Sequence, residues 1–198
     1  MSRSNEAILE RFAEAVVTGE YCGTSEDGPR RWAALSLPGL GILTRRKLWP
    51  AAMHRVIDLQ AHERAQARFL EGWCRVPMSM VREWVGNDDV FFRGLRVLLP
   101  PYRGPTATLF RGQVKSEPVG MSWTRSFAIA QKFALYGIEN VNPHGVAPPH
   151  IKARANPIVL LAKAHDEIIC APCLLGQMEG EYIVDPRGLA VVECGAQL

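Results

Sequence analysis

The chain has 198 residues, of which 47% are hydrophobic and 22% are charged, and its formal net charge is +3. This balance excludes an intrinsically disordered chain and predicts a globular protein with a sizeable core. The small positive charge indicates an anionic ligand only weakly and does not require nucleic acid or a membrane as partner. No apolar run approaches the length of a membrane span and no secretory leader is recognisable, so we expect a cytoplasmic protein.

The first hundred residues are predicted to be helical. Four apolar residues recur at helical spacing near the start of the chain: Ile8, Phe12, Ala15 and Val16. Ser4 precedes them and is the expected N-cap. The stretch from Gly19 to Gly41 contains Gly, Pro and Ser and is predicted to be mostly loop.

A second helical run is predicted to begin near Thr44 or Trp49 and to continue past Phe69. Shorter helices are expected at Met78–Val85 and Asp89–Leu98. The basic cluster Arg45-Arg46-Lys47 is most simply interpreted as a solvated face, with nucleic-acid binding as the less favoured alternative.

The proline-rich segment 100–105 is the expected boundary between two domains, residues 1–103 and 104–198, because two consecutive prolines cannot continue a helix. Beyond it, we expect a turn at Ser122 leading into a helix that ends near Tyr136, and a loop over 137–156. The predicted strands are Thr106–Arg111, Pro157–Ala164, Ile168–Leu174, Gly180–Val184 and Leu189–Cys194. A helical first half followed by these strands predicts an α+β fold.

Three segments of the second half contain residues suited to chemistry. Arg111 ends an apolar strand and is followed by Gly112, so a guanidinium that can hold phosphate stands where a backbone can approach a ligand closely. In Ser122-Trp123-Thr124 two hydroxyls flank an aromatic residue just before a helix, where they can serve as caps or bind a ribose.

The third segment is Glu179-Gly180-Glu181, on a predicted strand. Alternate strand residues share a face, so Gln177, Glu179 and Glu181 are expected to point the same way. Two carboxylates so close together repel each other unless water or a ligand separates them. A solvent-facing edge strand would explain them equally well without any ligand.

In this order the three segments resemble the motifs of the arginine–serine–glutamate class of mono-ADP-ribosyltransferases, particularly the bacterial and phage type. That family has an aromatic-Arg-Gly on its first core strand, a Ser-x-Ser/Thr turn, and a Glu-x-Glu or Gln-x-Glu on a late strand. The resemblance covers about residues 106–194 and implies a split antiparallel sheet that binds NAD in its cleft. It also implies transfer of ADP-ribose from NAD to an acceptor.

The resemblance also implies a role for each site residue. Arg111 would pair with the pyrophosphate, the Gly112 backbone would lie close to the nicotinamide, and Phe133, or less plausibly Phe127, would pack on the nicotinamide ring. Ser122, in the cofactor-binding turn with Trp123 and Thr124, would bind the ribose and position Glu181. Glu181 would be the catalytic carboxylate, stabilising the positive charge that develops on the ribose.

Glu179 would lie beside the incoming nucleophile, and in the family a Glu here accompanies modification of arginine, so a protein guanidinium is the expected acceptor. A nucleic-acid acceptor is less favoured. Two other functions stay open: an NAD glycohydrolase on the same fold, and a binding module that has lost catalysis. A metal is not expected, because Cys170-x-x-Cys173 has no second cysteine pair to complete a zinc site.

Overall fold

The computed structural model of the chain describes residues 3–19, 37–73, 78–137, 153–171 and 180–195. Over these ranges the fold is α+β, with seven α-helices and two small antiparallel sheets. The chain divides into two compact units, Met1–Pro101 and Tyr102–Leu198. The division falls within the proline-rich segment 100–105.

The first unit is helical throughout its described part. Its helices are α1 (Arg3–Thr18), α2 (Leu37–Arg45), α3 (Trp49–Val56), α4 (Glu63–Trp73), α5 (Met78–Val85) and α6 (Asp88–Leu98). The predicted bounds of α5 are confirmed, and those of α6 differ by one residue. The indole of Trp49 is fully buried between the rings of Phe12 and Phe69, each at 6.4 Å and edge-on.

Three predictions for this unit were wrong in detail. Ser4 lies inside α1 and accepts a hydrogen bond from Arg46 instead of capping the helix. The predicted loop was expected to continue to Gly41, but α2 already begins at Leu37, and Leu40 is completely buried in it. Residues 20–36 of that loop lie outside the described ranges. The long second run is two helices, because the amide of His62 leaves the helical pattern to bond the carbonyl of Val16 at 2.9 Å.

Asn87 is the N-cap of α6. Its side-chain oxygen accepts hydrogen bonds from the backbone amides of Asp89, at 3.0 Å, and Val90, at 3.2 Å. We expect Asn87→Ala to lower the free energy of unfolding by about 1 kcal/mol, because those amides lose their acceptor. Asn87→Asp, which keeps the oxygen, should stay close to wild type in urea denaturation. An equal loss in both variants would show that the cap is not the cause.

The second unit contains β1 (Ala107–Val114), β2 (Ser122–Trp123), α7 (Phe127–Tyr136), β3 (Pro157–Ala164), β4 (Ile168–Cys170), β5 (Tyr182–Val184) and β6 (Val191–Gly195). The bounds of β3 are as predicted. β1 is longer than expected, since it pairs with β3 along its whole length, from Ala107 opposite Ala164 to Val114 opposite Pro157. The predicted strand over 168–174 ends at Cys170 in its described part.

The strands form two antiparallel three-stranded sheets, in the orders β1-β3-β6 and β2-β5-β4. A two-residue bridge joins β1 to the end of β2: the amides of Phe110 and Thr124 each donate to the other residue's carbonyl, at 2.7 and 2.9 Å. Side chains of both sheets, among them Leu109 and Trp123, share one apolar core. The other face of the first sheet packs on α7, where Ala130 and Ala134 contact Val159.

Candidate functional site

One residue from each of the three segments, Arg111, Ser122 and Glu181, lies on or directly next to a strand at the junction of the two sheets. Arg111 is on β1, one residue from the bridge, and Ser122 begins β2. Glu181 immediately precedes β5, which pairs with β2. Residues separated by up to 70 positions in the chain therefore lie near the bridge between Phe110 and Thr124, where the first sheet meets the second.

The guanidinium of Arg111 is held by two hydrogen bonds to neutral acceptors. Its Nε donates to Oε1 of Gln113 at 2.9 Å, and its Nη1 donates to the carbonyl of Ser122 at 2.8 Å. Gln113 is buried, and its own amide nitrogen donates to the carbonyl of Glu117 at 2.7 Å. These two bonds fix the orientation of the guanidinium on β1.

Gly120 leaves room for the guanidinium of Arg111 beside the backbone. A Cβ at Gly120 would overlap the Arg111 side chain, and even Nη1 would lie only 2.9 Å away. The glycine therefore lets the cation lie directly against the backbone that leads into β2. Gln113 and Gly120 were not identified from the sequence. Gln113 lies two residues from Arg111 on the same strand, so strand alternation was a usable signal for it, whereas nothing local marks Gly120.

Gly112 faces α7. A Cβ there would overlap the carbonyl oxygen of Ala130 and lie 2.5 Å from the amide nitrogen of Ala134. Close packing of the helix on β1 thus accounts for the glycine without a ligand. The proposed contact between its backbone and nicotinamide stays a prediction. Phe133, the predicted ring partner, is half-buried on the same helix.

Within the turn Ser122-Trp123-Thr124, two side chains have structural contacts. Trp123 is buried and its Nε1 donates to the carbonyl of Gly120 at 3.0 Å. The hydroxyl of Thr124 accepts from the amide of Ser126 at 3.1 Å, and Ser126 in turn caps α7 through the amide of Ile129. Ser122 is half-buried, and its hydroxyl has no hydrogen bond within the part of the chain that the structure describes.

The predicted strand over Gly180–Val184 was wrong at its start. Gly180 has a φ of +51°, a left-handed conformation that ends strand geometry, and β5 begins at Tyr182. The expectation that Glu181 shares a strand face with Gln177 and Glu179 stays a prediction. Gln177 and Glu179 themselves lie outside the described residues.

Glu181 immediately precedes β5, which pairs with β2. Trp123 lies opposite Tyr182 and Ser122 opposite Ile183. The backbone of Glu181 therefore adjoins the pair formed by Trp123 and Tyr182. The carboxylate is half-buried and forms no hydrogen bond or ion pair with any residue in the described ranges.

Tyr182 anchors β5 next to this carboxylate. Burial raises the pKa of its phenol above the ordinary value, and the nearby charge of Arg125 partly opposes the rise. The guanidinium carbon of Arg125 lies 5.1 Å from the centre of the Tyr182 ring, at cation–π distance. Tyr182 is therefore neutral at physiological pH and supports the strand by packing.

Over the described ranges, no three side chains of His, Cys, Asp or Glu are grouped closely enough to share a metal ion. Cys170 is buried at the end of β4, and Cys173 lies outside those ranges. None of the described helices combines the length and the apolar character needed to cross a membrane.

Comparisons of the chain with protein-family models, with curated proteins and with solved structures found no significant match. Function must therefore be inferred from the residues at the sheet junction.

Proposed function

We propose that this protein is a mono-ADP-ribosyltransferase that cleaves NAD⁺ and transfers ADP-ribose to the arginine side chain of a protein. The supporting observation is that Arg111 on β1, Ser122 on β2 and Glu181, which immediately precedes β5, lie at the junction of two sheets. These are the three positions that the family resemblance selects, and they are far apart in sequence.

The chemistry of these groups fits a dinucleotide. Bonds to Gln113 and to the Ser122 carbonyl hold the guanidinium of Arg111 in place, and a guanidinium is well suited to a pyrophosphate. The hydroxyl of Ser122 and the carboxylate of Glu181 are polar and half-buried, and both lack partners among the described residues. A ribose hydroxyl can supply the missing hydrogen bonds.

In the proposed reaction the bond between the anomeric carbon and the nicotinamide nitrogen breaks, and its electron pair leaves with nicotinamide. Positive charge then develops on the ribose, as in glycoside hydrolysis, and the carboxylate of Glu181 stabilises it. The acceptor nitrogen attacks the anomeric carbon and loses a proton. Ser122 orients the ribose and Glu181 relative to each other.

The acceptor assignment depends on Glu179, because a glutamate at this position favours a guanidinium acceptor in the family that the chain resembles. A carboxylate beside the nucleophile can attract the guanidinium and accept its proton. With a different acceptor, the same NAD-cleaving groups would give a glycohydrolase or an enzyme that modifies nucleic acid.

The decisive experiment is incubation of the full chain with NAD⁺ labelled in its adenylate half and a bacterial lysate. Nicotinamide release is followed by chromatography, and labelled material is identified by mass spectrometry. We expect release of nicotinamide and ADP-ribose attached to arginine. Nicotinamide release without a labelled acceptor would indicate a glycohydrolase, and label removed by nuclease would indicate a nucleic-acid acceptor. Absence of both activities would leave the binding-module alternative.

A further inference from the structure

A groove with a volume of 510 Å³ lies between α1 and α2 in the first unit. Its walls are Ser4, Ala7, Ile8 and Arg11 from α1, Ile42 and Arg45 from α2, and Arg46, which directly follows α2. The four α1 positions follow the spacing of a single helix face. This volume is within the range of sites that bind small molecules or short peptide segments.

The groove is strongly basic. Three guanidinium groups line it, and no carboxylate is among its lining residues in the described part of the chain. Arg46 donates to the Ser4 hydroxyl at 3.0 Å and to the Asn5 side-chain oxygen at 2.9 Å, both neutral. Arg11 and Arg45 form no ion pair within the described ranges. Within the described ranges, the three arginines have no acidic partner.

The acidic residues of α1, Glu6, Glu10 and Glu14, do not line the groove. Glu6 is paired with Arg55 of α3. Helix α2 ends at Arg45, so Arg45 and Arg46 also stand near the negative end of its dipole. That interaction explains a cation at the end of α2, but it does not explain why Arg11 of another helix faces the same groove.

The remaining walls indicate the kind of ligand. Ala7, Ile8 and Ile42 are aliphatic and half-buried, so they provide apolar contact area beside the arginines. Inorganic phosphate would pair with the arginines, but it has no apolar group that could pack on Ala7, Ile8 and Ile42. Single-stranded nucleic acid gains affinity from bases stacked on aromatic side chains, and no aromatic residue lines the groove in the described part of the chain. A peptide with acidic and aliphatic side chains on one face matches both features.

We propose that this groove docks an acidic, leucine-rich helical segment of a partner protein. The acidic side chains pair with Arg11, Arg45 and Arg46, and the aliphatic side chains pack on Ile8 and Ile42. This docking site is separate from NAD⁺ cleavage, so either proposal can fail without the other.

The test uses a fluorescein-labelled peptide of about twelve residues in which glutamates alternate with leucine pairs, a length that suits helix-in-groove binding. Fluorescence anisotropy with the full chain should give saturable binding. Arg11→Glu/Arg45→Glu should weaken it at least about tenfold, because two attractive contacts become repulsive. Arg64→Glu/Lys163→Glu, which changes two exposed cations outside the groove, is the matched control and should bind as wild type.

Folding of both double variants is checked by circular dichroism. If Arg11→Glu/Arg45→Glu does not fold, Arg11→Gln/Arg45→Gln replaces it, with the same expected direction. Three results would overturn the proposal: no saturable binding, equal binding of a peptide with lysine in place of every glutamate, or tighter binding of labelled oligothymidylate that the same variant abolishes. The last would identify a nucleic-acid site.

Discussion

Replacing Glu181 with Gln is expected to reduce nicotinamide release from NAD⁺ at least about a hundredfold, the cost typical of removing one preorganised electrostatic group from a transition state. The substitution keeps the size of the side chain and one oxygen, but it removes the negative charge that would face the developing cation. Since the carboxylate has no partner among the described residues, the fold should not depend on it. Melting temperature and circular dichroism should match wild type.

Glu193→Gln is a suitable control for this experiment. Glu193 is a carboxylate on β6 in the same unit, and it forms an exposed ion pair with Lys115 at 3.0 Å. Such a pair contributes little to stability, so this variant should keep both its fold and its activity. Nicotinamide release at the wild-type rate by Glu181→Gln would contradict the assignment of Glu181. Equal losses in the two variants would indicate a general effect of lost charge.

Local sequence patterns correctly predicted the limits of those helices and strands that depend on neighbouring residues in the chain. The apolar run of β3 is bounded by turn residues, and its predicted limits, Pro157–Ala164, are those of the structure. The predicted limits of α5, Met78–Val85, are likewise those of the structure. The break between α3 and α4 was missed because it depends on a bond from His62 to Val16 in another helix. No window of sequence around His62 contains that information.

The candidate site likewise combines features that could be predicted from the sequence with features that depend on the fold. Family order selected Arg111, Ser122 and Glu181, and the pairing of β1, β2 and β5 gathers them. The groups that hold Arg111 in place were missed, since Gly120 matters only once the guanidinium folds back against it. The predicted start of the strand at Gly180 was also wrong, because alternation was extended through this glycine without regard to its left-handed φ, whereas β5 begins at Tyr182. Turn geometry at a glycine depends on the surrounding fold more than on its neighbours.

The backbone of Gly112 was predicted from the sequence to contact the ligand. The surroundings of Gly112 indicate a second role, close packing against α7, and disturbing this packing should lower the stability of the protein. We expect Gly112→Ala to destabilise the protein by about 3 kcal/mol or more, because the new methyl group would overlap the Ala130 carbonyl and approach the Ala134 amide. Both atoms belong to the backbone of α7. They cannot rotate away as a side chain would, so relief requires movement of the helix off β1.

Gly188→Ala is the matched control for this substitution. It is also in the second unit, and its added methyl group would meet only Glu167, at 3.9 Å, which is ordinary van der Waals contact. Its stability should stay within about 0.5 kcal/mol of wild type or rise slightly, since alanine restricts the unfolded chain. Urea denaturation of both variants, with nicotinamide release measured in parallel, separates the two roles of Gly112. If Gly112→Ala keeps wild-type stability but loses NAD⁺ cleavage, the glycine serves the ligand and packing against α7 does not explain it.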